Sequence, residues 1–518
     1  MASVVEGKDE IITMRSEKIY ILLLGLLLQI PICAANKSYN PLMFGWQKAK
    51  TDIERYWVLY NTHTAAMKEN VPVDYSGLRE LNIEIPTDAK TIPLTDETDF
   101  KNATLRVTNN SKNICLFEKI SSAKPINATS ADVDNGFFKS ETILRNGLFI
   151  LSLSDKNPWV KNRKGYSYGH TRRDLLLIDR GYSKNSPISS YDNDQTKIDA
   201  KYCTVSKNKK IIKNLHFYRK EHNTKQIYFL RLSYQYNVEL KNIDLHTPQD
   251  TLTDDALIGI NDSYKLVFED ILIDGTYSKK NHSGYGICMN NVSDVRFRRL
   301  IGHANWGIFG NNNVNDVKLV DCDINRFDIH CYGKNVAFVN CKFRDLYNQF
   351  SSISGKVSFK DCEFFDFIPV LFESSYNAYR KFDLSFKNCV IHASNNRNYL
   401  ISGGRLNGEK TDERLELSVQ DYPNIYIDGL TVDMSTDTEN YYIYRFNRGL
   451  LQWPKNSIPG LRSIKRIRFV PDSGKQLELS NLQSMVKYPD SKWVNPILYG
   501  STLALVCGSW FCYKRRKA

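Results

Sequence analysis

One nine-residue pattern of apolar and polar positions recurs between residues 237 and 391. Apolar residues occupy positions two, four, seven and usually nine of each copy, and Asp or Asn often stands at position six. Such alternation is typical of a strand with one buried face, and the polar position six indicates a turn. The seven copies begin 19 to 29 residues apart and span 237–245, 265–273, 294–302, 316–324, 335–343, 356–364 and 383–391.

A single strand of this kind cannot bury its apolar face, whereas copies stacked in register can. A strand-based repeat of about 20 to 30 residues, with almost no helical periodicity between copies, predicts a β-solenoid in which each repeat forms one coil. Because the pattern is constant and the spacing is not, we expect one loop of variable length in each coil.

Helical periodicity is best developed between residues 40 and 70. Apolar residues follow at spacings of three and four in the stretch from Thr51 to Tyr60, and Thr51 or Asp52 can cap its start. A solenoid needs a cover over its open end, since an exposed coil edge invites further strand pairing. The sequence therefore predicts an N-terminal capping helix.

Both ends of the chain carry apolar segments. A short basic start, an apolar run from Ile19 to Ile30 and the small residues Cys33-Ala-Ala35 form the layout of a secretory signal peptide. Residues 496–513 are mostly apolar and precede the basic Lys514-Arg-Arg-Lys517, which favours a membrane or sorting tail over a last solenoid coil with a basic end. We therefore expect an exported protein, periplasmic, cell-surface or secreted, with a C-terminal segment able to anchor it in a membrane.

These observations divide the chain into five segments. The predicted divisions are a signal peptide at 1–35, a capping segment at 36–75, a parallel β-helix at 76–395, closing coils or a small appended β region at 396–490, and a hydrophobic C-terminal segment with a basic tail at 491–518.

The chain is basic, with 70 Lys and Arg against 57 Asp and Glu and a formal charge of +13. This excess favours anionic partners such as uronate-containing glycans, nucleic acid or anionic lipid, although an ordinary solvated basic surface explains it as well. No nucleic-acid-binding motif is present, so we expect no nucleic-acid partner.

Four cysteines occupy position seven of successive copies, namely Cys322, Cys341, Cys362 and Cys389. They are predicted to stack as a buried ladder. Neighbouring strands lie about 4.8 Å apart, which would permit disulfides, but a small buried apolar residue in each coil explains the pattern better. No cysteine or histidine spacing resembles a zinc site, and no metal ligands are predicted.

Short strands with an Ile-Pro pair, Ile83-Glu-Ile-Pro86 and Ile92-Pro-Leu94, lead into coils marked by Asn-Cys and Asp-Cys. This pattern resembles the right-handed parallel β-helix proteins of the pectin-lyase-like superfamily over roughly residues 70–395. More narrowly, the stretches 172–179, 306–310 and Arg326-Phe-Asp-Ile-His330 are similar to those of a group of exported bacterial β-helix proteins.

The resemblance implies an all-β, right-handed parallel β-helix. The superfamily includes polysaccharide lyases, glycoside hydrolases, esterases, epimerases, phage tailspikes and non-catalytic adhesins, so it implies a carbohydrate partner without fixing an activity. Because some of its lyases use Ca²⁺, the resemblance allows Ca²⁺ as a cofactor if this protein is a lyase. Because many of its depolymerases are trimers, it also allows a homotrimer. Its paired-Asp hydrolase motif and its Ca²⁺-binding Asp clusters are not recognisable here.

Arg326, Asp328 and His330 share one face of a predicted strand, with Phe327 and Ile329 on the other. A cation, a carboxylate and an imidazole on one face can serve as acid, base and anion clamp. We therefore predict these three as catalytic residues. The substrate-binding residues predicted from neighbouring coils are Trp306, His303, His246 and Asp255. The alternative is a structural ladder in which Asp and His side chains satisfy one another.

Residues 155–200 interrupt the repeat and are rich in aromatic and basic side chains. His170, Arg172 and Arg173 stand there just before the apolar run from Leu175 to Ile178. Arg can pair with sugar carboxylates and aromatic rings can stack on sugar faces, so these residues are predicted to bind substrate. An ordinary solvated loop is the alternative.

Two functions follow from these residues. The first is a carbohydrate-active enzyme that acts on an acidic polysaccharide. A lyase would use Arg326 or a Lys to remove the proton next to a uronate carboxylate, whereas a hydrolase would need a second carboxylate about 5–9 Å from Asp328. The second function is a non-catalytic surface β-helix that binds glycans or acts as an adhesin.

Overall fold

The fold is described from a computed structural model. It describes residues 37–139, 143, 147–158, 171–188, 197–220, 225–247, 256–275, 284–303, 306–350, 353–372, 382–394, 397–403, 423–434, 441–446, 461–470 and 486–487. The predicted signal peptide and the hydrophobic C-terminal segment lie outside these residues. Within the part described, no helix is long and apolar enough to span a membrane.

A helix covers the N-terminal end of the molecule. Two short 3₁₀ helices, Pro41–Phe44 and Trp46–Lys48, precede helix α1, Asp52–Glu69. Thr51 caps α1, because its hydroxyl accepts from the backbone N–H of Glu54 while the Glu54 carboxylate accepts from the backbone N–H of Thr51. The buried face of α1, including Tyr56 and Leu59, packs on the first coil of the sheet, which confirms the predicted capping helix.

Within the described residues, twenty-four strands form the solenoid. The first five are β1 Val73–Asp74, β2 Glu80–Glu84, β3 Ile92–Pro93, β4 Glu97–Thr108 and β5 Ile114–Ile120. The central strands are β11 Lys210–Arg219, β12 Ile227–Ser233, β13 Tyr236–Thr247, β14 Ile258–Gly275, β15 Tyr285–Gly302, β16 Gly307–Val320, β17 Asp323–Ile324, β18 Phe327–Val339, β19 Lys342–Arg344 and β20 Tyr347–Phe350.

The last strands continue the same stack. They are β21 Ile353–Lys360, β22 Glu363–Phe365, β23 Ile368–Phe372, β24 Phe382–His392, β25 Tyr399–Gly403, β26 Asn424–Asp433, β27 Tyr442–Phe446, β28 Leu461–Val470 and β29 Val486–Lys487. Strands β25 to β29 pair in parallel with the coils before them, so the described strands of the segment 396–490 are further coils.

Each coil contributes to three parallel ladders. In β15, residues 285–290 belong to the ladder named sheet A here, residues 295–298 to sheet B and residues 300–302 to sheet C, and each pairs in parallel with the coils on either side. All pairings between the named strands of the solenoid are parallel among the residues described, and an isolated antiparallel bridge joins Ser394 to Arg397. The predicted fold class, an all-β, right-handed parallel β-helix with an N-terminal capping helix, is confirmed.

The repeated nine-residue pattern maps onto sheets B and C. Position four supplies an inward ladder in which Phe338, Phe359 and Phe386 stack with ring centroids 4.8 and 5.1 Å apart. Position six is the corner between sheets B and C, where every copy has a left-handed backbone, for example Asn242 at φ 53° and Asp270 at φ 55°. Asn and Asp tolerate this conformation better than other side chains do, which explains their frequency at that position.

The four position-seven cysteines form the predicted buried ladder. Cys322, Cys341, Cys362 and Cys389 are each at most 2% exposed and line the core as thiols. None of the cysteines that the structure describes forms a disulfide.

An antiparallel unit interrupts the solenoid between β5 and β11. It consists of β6 Lys124–Thr129, helix α2 Ser130–Asn135, β7 Leu148–Pro158, β8 Thr171–Asp179, β9 Tyr182–Ser183 and β10 Lys197–Val205, and its strand order is β6-β10-β7-β8-β9. The predicted β-helix segment 76–395 therefore contains a second, inserted sheet. The sequence predicts a loop for part of this sheet, because its strands share no repeat and β10 pairs with the distant strands β6 and β7.

The inserted sheet has a core on each face. One face packs against helix α2 through residues such as Leu151 and Val133. The other face packs against the solenoid, where apolar residues including Ile150 and Leu177 meet Tyr236 and Tyr264. The inserted sheet is thereby docked beside the corner between sheets A and B.

Candidate functional site

The Arg-Phe-Asp-Ile-His stretch lies at the start of sheet A. Phe327 and Ile329 point into the core and are fully buried, while Asp328 lies on the other face of β18. Its neighbours on the adjacent coils are Gly310 of β16 and Gln349 of β20. The alternation predicted from the sequence is therefore present, and a polar cluster forms on the outer face.

Arg326 and Asp328 form a buried ion pair. The Arg326 Nε lies 2.7 Å from the Asp328 carboxylate, and the two residues are 2% and 0% exposed. Burial alone would raise the pKa of Asp328, but the charge of Arg326, the nearby His330 and the hydrogen bond from Arg326 outweigh it and hold that pKa below its ordinary value. Asp328 is therefore an ionised carboxylate in the folded protein.

Two aromatic rings enclose the Arg326 guanidinium. Its Cζ lies 4.3 Å from the ring centroid of Trp306 and 4.4 Å from that of Tyr347. Two further N–H groups donate to the Trp306 carbonyl at 3.1 Å and to Gln349 Oε1 at 3.1 Å. Burial lowers the pKa of Arg326, but the Asp328 carboxylate together with Tyr347 and Tyr285 raises it by more in sum, so the net shift is upward and Arg326 stays a cation.

The hydroxyl of Tyr285 connects this ion pair to a histidine. It donates to Asp328 Oδ2 at 3.0 Å, accepts from Trp306 Nε1 at 2.9 Å and lies 2.9 Å from His330 Nε2. A phenol can donate only one hydrogen bond, and the Tyr285 hydroxyl donates it to the ionised Asp328. The His330 Nε2 must therefore carry a proton and donate to the Tyr285 oxygen. In the neutral imidazole, this pattern makes Nδ1 the basic nitrogen.

Two glycines of the Trp306-Gly-Ile-Phe-Gly310 stretch make room for the cluster. A Cβ on Gly307 would stand 2.6 Å from Arg326 Cδ, and a Cβ on Gly310 would stand 2.6 Å from the Tyr285 ring. Both distances are too short for any side chain, which is a typical reason for glycine inside a strand. The resemblance noted for this stretch therefore coincides with a steric requirement of the site.

The structure brings together four of the predicted site residues, Arg326, Asp328, His330 and Trp306. It changes the expectation that all three of the predicted catalytic side chains project into solvent. The guanidinium and the carboxylate are enclosed, and only the His330 side chain, at 17% exposed, reaches the surface. Arg326, as an ion-paired cation with a raised pKa, is not available as the base suggested for a lyase.

Two predicted binding residues lie elsewhere, on sheet C. His246 pairs with Asp274 at 3.3 Å, and His303 pairs with Asp323 at 2.9 Å. The same arrangement, a histidine bonded to an aspartate of the next coil, recurs at His216. His246 and His303 thus belong to the structural Asp–His ladder that was the alternative, because their positions in the repeat place them on a different sheet from Asp328.

The remaining predicted residues belong to the loops and the inserted sheet. His170 and Asp255 lie outside the described residues, and of Arg172 only the backbone, in β8, is described. Arg173 is exposed and lines a cleft between the inserted sheet and the solenoid. In the described part of the chain, no group of three or more His, Cys, Asp or Glu side chains is arranged to hold a metal ion.

Sequence reasoning missed Tyr285, Tyr347 and Gln349. Tyr285 begins β15, one coil before the Trp306 stretch, and Tyr347 and Gln349 belong to β20, one coil after Asp328. The signal in the sequence was that these residues lie at the start of a sheet A strand, as Trp306, Arg326 and Asp328 do in the neighbouring coils. It was hidden because loops of different length precede these strands.

No protein-family model matches the sequence, and no curated protein matches it either. Solved structures match by shape. The tailspike protein gp49 from Pseudomonas phage LKA1 aligns with a TM-score of 0.50 at 12% identity, over 79% of this chain and 73% of that chain. The chain shares the fold of a tailspike.

Two further structures align less closely. The tailspike gp61 of Pseudomonas phage phi297 has a TM-score of 0.42 at 12% identity, covering 79% of this chain and 80% of that one. The A-module of the mannuronan C-5 epimerase AlgE4 from Azotobacter vinelandii has a TM-score of 0.33 at 9% identity, covering 79% and 99%. At 12% identity, the similarity to gp49 shows the parallel β-helix fold alone.

Proposed function

We propose that the protein is an exported carbohydrate-active β-helix that cleaves an acidic polysaccharide by β-elimination, with His330 as the base. The observation that carries the proposal is the chain of contacts from Asp328 through the Tyr285 hydroxyl to His330 Nε2. It orients the imidazole with Nδ1 as the basic nitrogen, in the way that a general base is commonly held by a third group. Export and anchoring are proposed from the terminal segments alone.

The reaction class follows from which groups can exchange protons. Removal of the proton next to a uronate carboxylate needs one base and stabilisation of the charge that develops. His330 can remove this proton, and the electron pair of the C–H bond then forms a C=C double bond to the neighbouring ring carbon as the bond from that carbon to the glycosidic oxygen breaks. The leaving oxygen takes up a proton from water or from the protonated imidazole. A hydrolase would need two accessible carboxylates. Asp328 is fully buried and ionised, which disfavours it as one of them.

Arg326, Asp328 and Tyr285 have positioning roles in this proposal. Burying a charged pair in a coil is costly unless each member is hydrogen-bonded, and core packing gives no reason to place one here. The two rings around the Arg326 guanidinium and the bond to Gln349 hold the pair in one geometry. That rigidity is suited to keeping a surface imidazole in a fixed orientation.

The test is a screen of the purified full chain against acidic and neutral polysaccharides, following reducing ends and the ultraviolet absorbance of unsaturated uronates. His330→Gln is expected to lower the rate by about 10²- to 10⁴-fold. His216→Gln, which removes a histidine of the sheet C ladder, is the matched control and should leave the rate unchanged. Reducing ends without absorbance would replace the lyase by a hydrolase, and full activity in His330→Gln would refute the proposed base.

The substitution Tyr285→Phe tests whether His330 acts as a base or has only a structural role. Loss of the hydroxyl removes the acceptor for Nε2–H and the donor to Asp328, so the imidazole loses its fixed tautomer. We expect a lower kcat and a shifted pH–rate profile, with KM little changed. Binding of a glycan by wild type and both variants without any cleavage would instead establish the second function, a non-catalytic glycan-binding β-helix.

A further inference from the structure

One face of the inserted sheet changes character along its strands. At one end this face carries Ile150 and Leu177, which pack on the solenoid. Two residues further along β7, at Ser152, the same face becomes polar, and it stays polar to the end of the described side chains. A cleft of about 570 Å³ opens there between the inserted sheet and the solenoid corner. This cleft is called the junction cleft below.

The polar end of the inserted sheet forms an ordered row. Asn127 of β6 lies opposite Asp199 of β10, Asp199 lies opposite Ser154 of β7, and Ser154 lies opposite Arg173 of β8. With about 4.8 Å between strands, the row spans about 14 Å. It presents an amide, a carboxylate, a hydroxyl and a guanidinium side by side.

The solenoid supplies the opposite wall. Asp262 accepts from Ser152 Oγ at 2.7 Å and from Asn291 Nδ2 at 2.6 Å, which holds its carboxylate at the mouth of the cleft. Burial and the nearby charge of Asp262 raise the pKa of Tyr234 to about 12, so the phenol is neutral. It hydrogen-bonds Ser152, and because the Ser152 hydroxyl donates to Asp262, the phenol is the donor and its oxygen can still accept. The backbone N–H of Arg173 donates to Asn313 Oδ1 at 3.1 Å and fixes the sheet to the coil.

The outer face of sheet A connects this cleft to His330. One column of its residues is small, namely Gly259, Cys288 and Gly310, and the next is Asn261, Asn290 and Asn312. All lie outside the core cluster, and Asn312 donates to Asn290 Oδ1 at 3.1 Å. Gly310 lies opposite Asp328 on the next coil. Asn313, three residues further along the same strand and therefore about 10 Å from Gly310, accepts from the backbone N–H of Arg173.

We propose that the junction cleft binds a saccharide segment of the same polysaccharide through its hydroxyl groups, as a subsite beyond His330. The lining carries two cations, Arg173 and Lys201, and two carboxylates, Asp199 and Asp262, so it has no net formal charge. Balanced donors and acceptors with one phenol suit vicinal hydroxyls better than they suit an anion. The inference rests on the proposed function, because the polysaccharide that occupies the subsite is the one cleaved at His330.

The test measures binding and turnover separately, in the full chain, with the polysaccharide and short oligosaccharides selected by the screen above. Arg173→Ala keeps the backbone bond to Asn313 and removes only the guanidinium. It is expected to weaken binding of the long chains about 10- to 100-fold and to raise KM at unchanged kcat. Lys184→Ala removes a half-exposed cation paired with Asp179 in the same inserted unit and is the matched control.

The outcomes distinguish the two proposals. Turnover by wild type with an unchanged KM in Arg173→Ala overturns the subsite and leaves the His330 site standing. Binding that depends on Arg173 without turnover supports the subsite and overturns the proposed cleavage. A wild-type protein that neither binds nor cleaves any glycan overturns both. Equal loss of binding in Lys184→Ala would assign the effect to general charge and would also overturn the subsite.

Discussion

Tyr285 lies directly over Gly310. A Cβ on that glycine would stand 2.6 Å from Cδ2 and Cε2 of the ring, well inside van der Waals contact. The glycine thus sets the position of the hydroxyl that joins Asp328 to His330. Gly259 occupies the same place two coils earlier, and a Cβ there would meet no heavy atom of the described residues within 4 Å.

This contrast gives a matched pair of substitutions. Gly310→Ala should cost about 1–3 kcal/mol of the free energy of unfolding, because the ring must move, and should abolish the activity that depends on His330. Gly259→Ala should change the free energy of unfolding by no more than about 0.5 kcal/mol. Denaturant unfolding and polysaccharide turnover measure the two effects. Equal behaviour of the two variants would contradict the placement of Tyr285.

The buried ion pair predicts a sharp difference between single and double substitutions. Asp328→Ala leaves the Arg326 guanidinium enclosed without its carboxylate and should lower the free energy of unfolding by about 3–5 kcal/mol. The double variant Arg326→Met with Asp328→Val should recover much of that loss, since apolar replacements of a buried pair are often close to neutral. Chemical denaturation of all three proteins measures this. A loss below about 1 kcal/mol in the single variant would mean that the pair is hydrated.

The capping helix contains a histidine that should make stability depend on pH. His63 is fully buried beside Tyr75, with its Nε2 2.7 Å from the phenol oxygen, and burial lowers its pKa from 6.5 to about 3. The unfolded chain takes up this proton near pH 6.5 and the folded chain does not. The stabilisation that comes from keeping His63 neutral is therefore complete above pH 6.5. As the pH falls towards 3, the free energy of unfolding decreases by about 1.4 kcal/mol for each pH unit.

The measurement for His63 is the difference in free energy of unfolding between wild type and His63→Gln at several pH values. Between about pH 6.5 and 4.5, where few carboxylates titrate, wild type should lose stability more steeply than the variant does. Parallel curves would contradict the burial of His63.

The cysteine ladder predicts selective thiol reactivity. Burial raises the pKa of Cys362 and raises that of Cys115 to about 12, so neither forms the reactive thiolate at about pH 8. Cys288, partly exposed on the outer face of sheet A, should react with iodoacetamide in the native protein. Peptide mapping before and after denaturation checks this. Native labelling of Cys362 at the denatured rate would show that the core of the coil opens.

A bulky adduct on Cys288 should also hinder a polysaccharide on sheet A. The thiol lies between Gly259 and Gly310, in the column of small residues that leads from His330 towards the junction cleft. Saturating substrate is expected to slow the labelling of Cys288, while labelling of the denatured control stays unchanged. Labelling that is indifferent to a bound polysaccharide would place the ligand on another face.

Much of the fold follows from local sequence rules. The inward phenylalanines at position four and the left-handed corner at position six depend only on residues within one copy, so the pattern reveals them. The Arg326–Asp328–His330 face was predictable for the same reason. Tyr285 and Gln349 were not, because their contact with Asp328 depends on how neighbouring coils align after loops of unequal length.

The inserted sheet illustrates the same limit. Strands β6 and β10 pair although Lys124 and Tyr202 are far apart in sequence, and no repeat indicates their partnership. Its apolar residues were visible, but an alternating strand does not reveal whether its neighbour is parallel or antiparallel. The assignment of Arg173 to a binding surface came from residue type alone, and the cleft that surrounds it comes from the structure.

The insertion also leaves the solenoid undisturbed. Strand β5 precedes it and β12 follows it, yet Ile114 lies opposite Ile227 and the ladder continues in parallel. Such a corner can accept or lose a whole folded unit without altering the coils on either side. If the proposed function holds, a unit beside the bound polysaccharide can be exchanged while the coils and the His330 site stay unchanged, which is a route to new specificities.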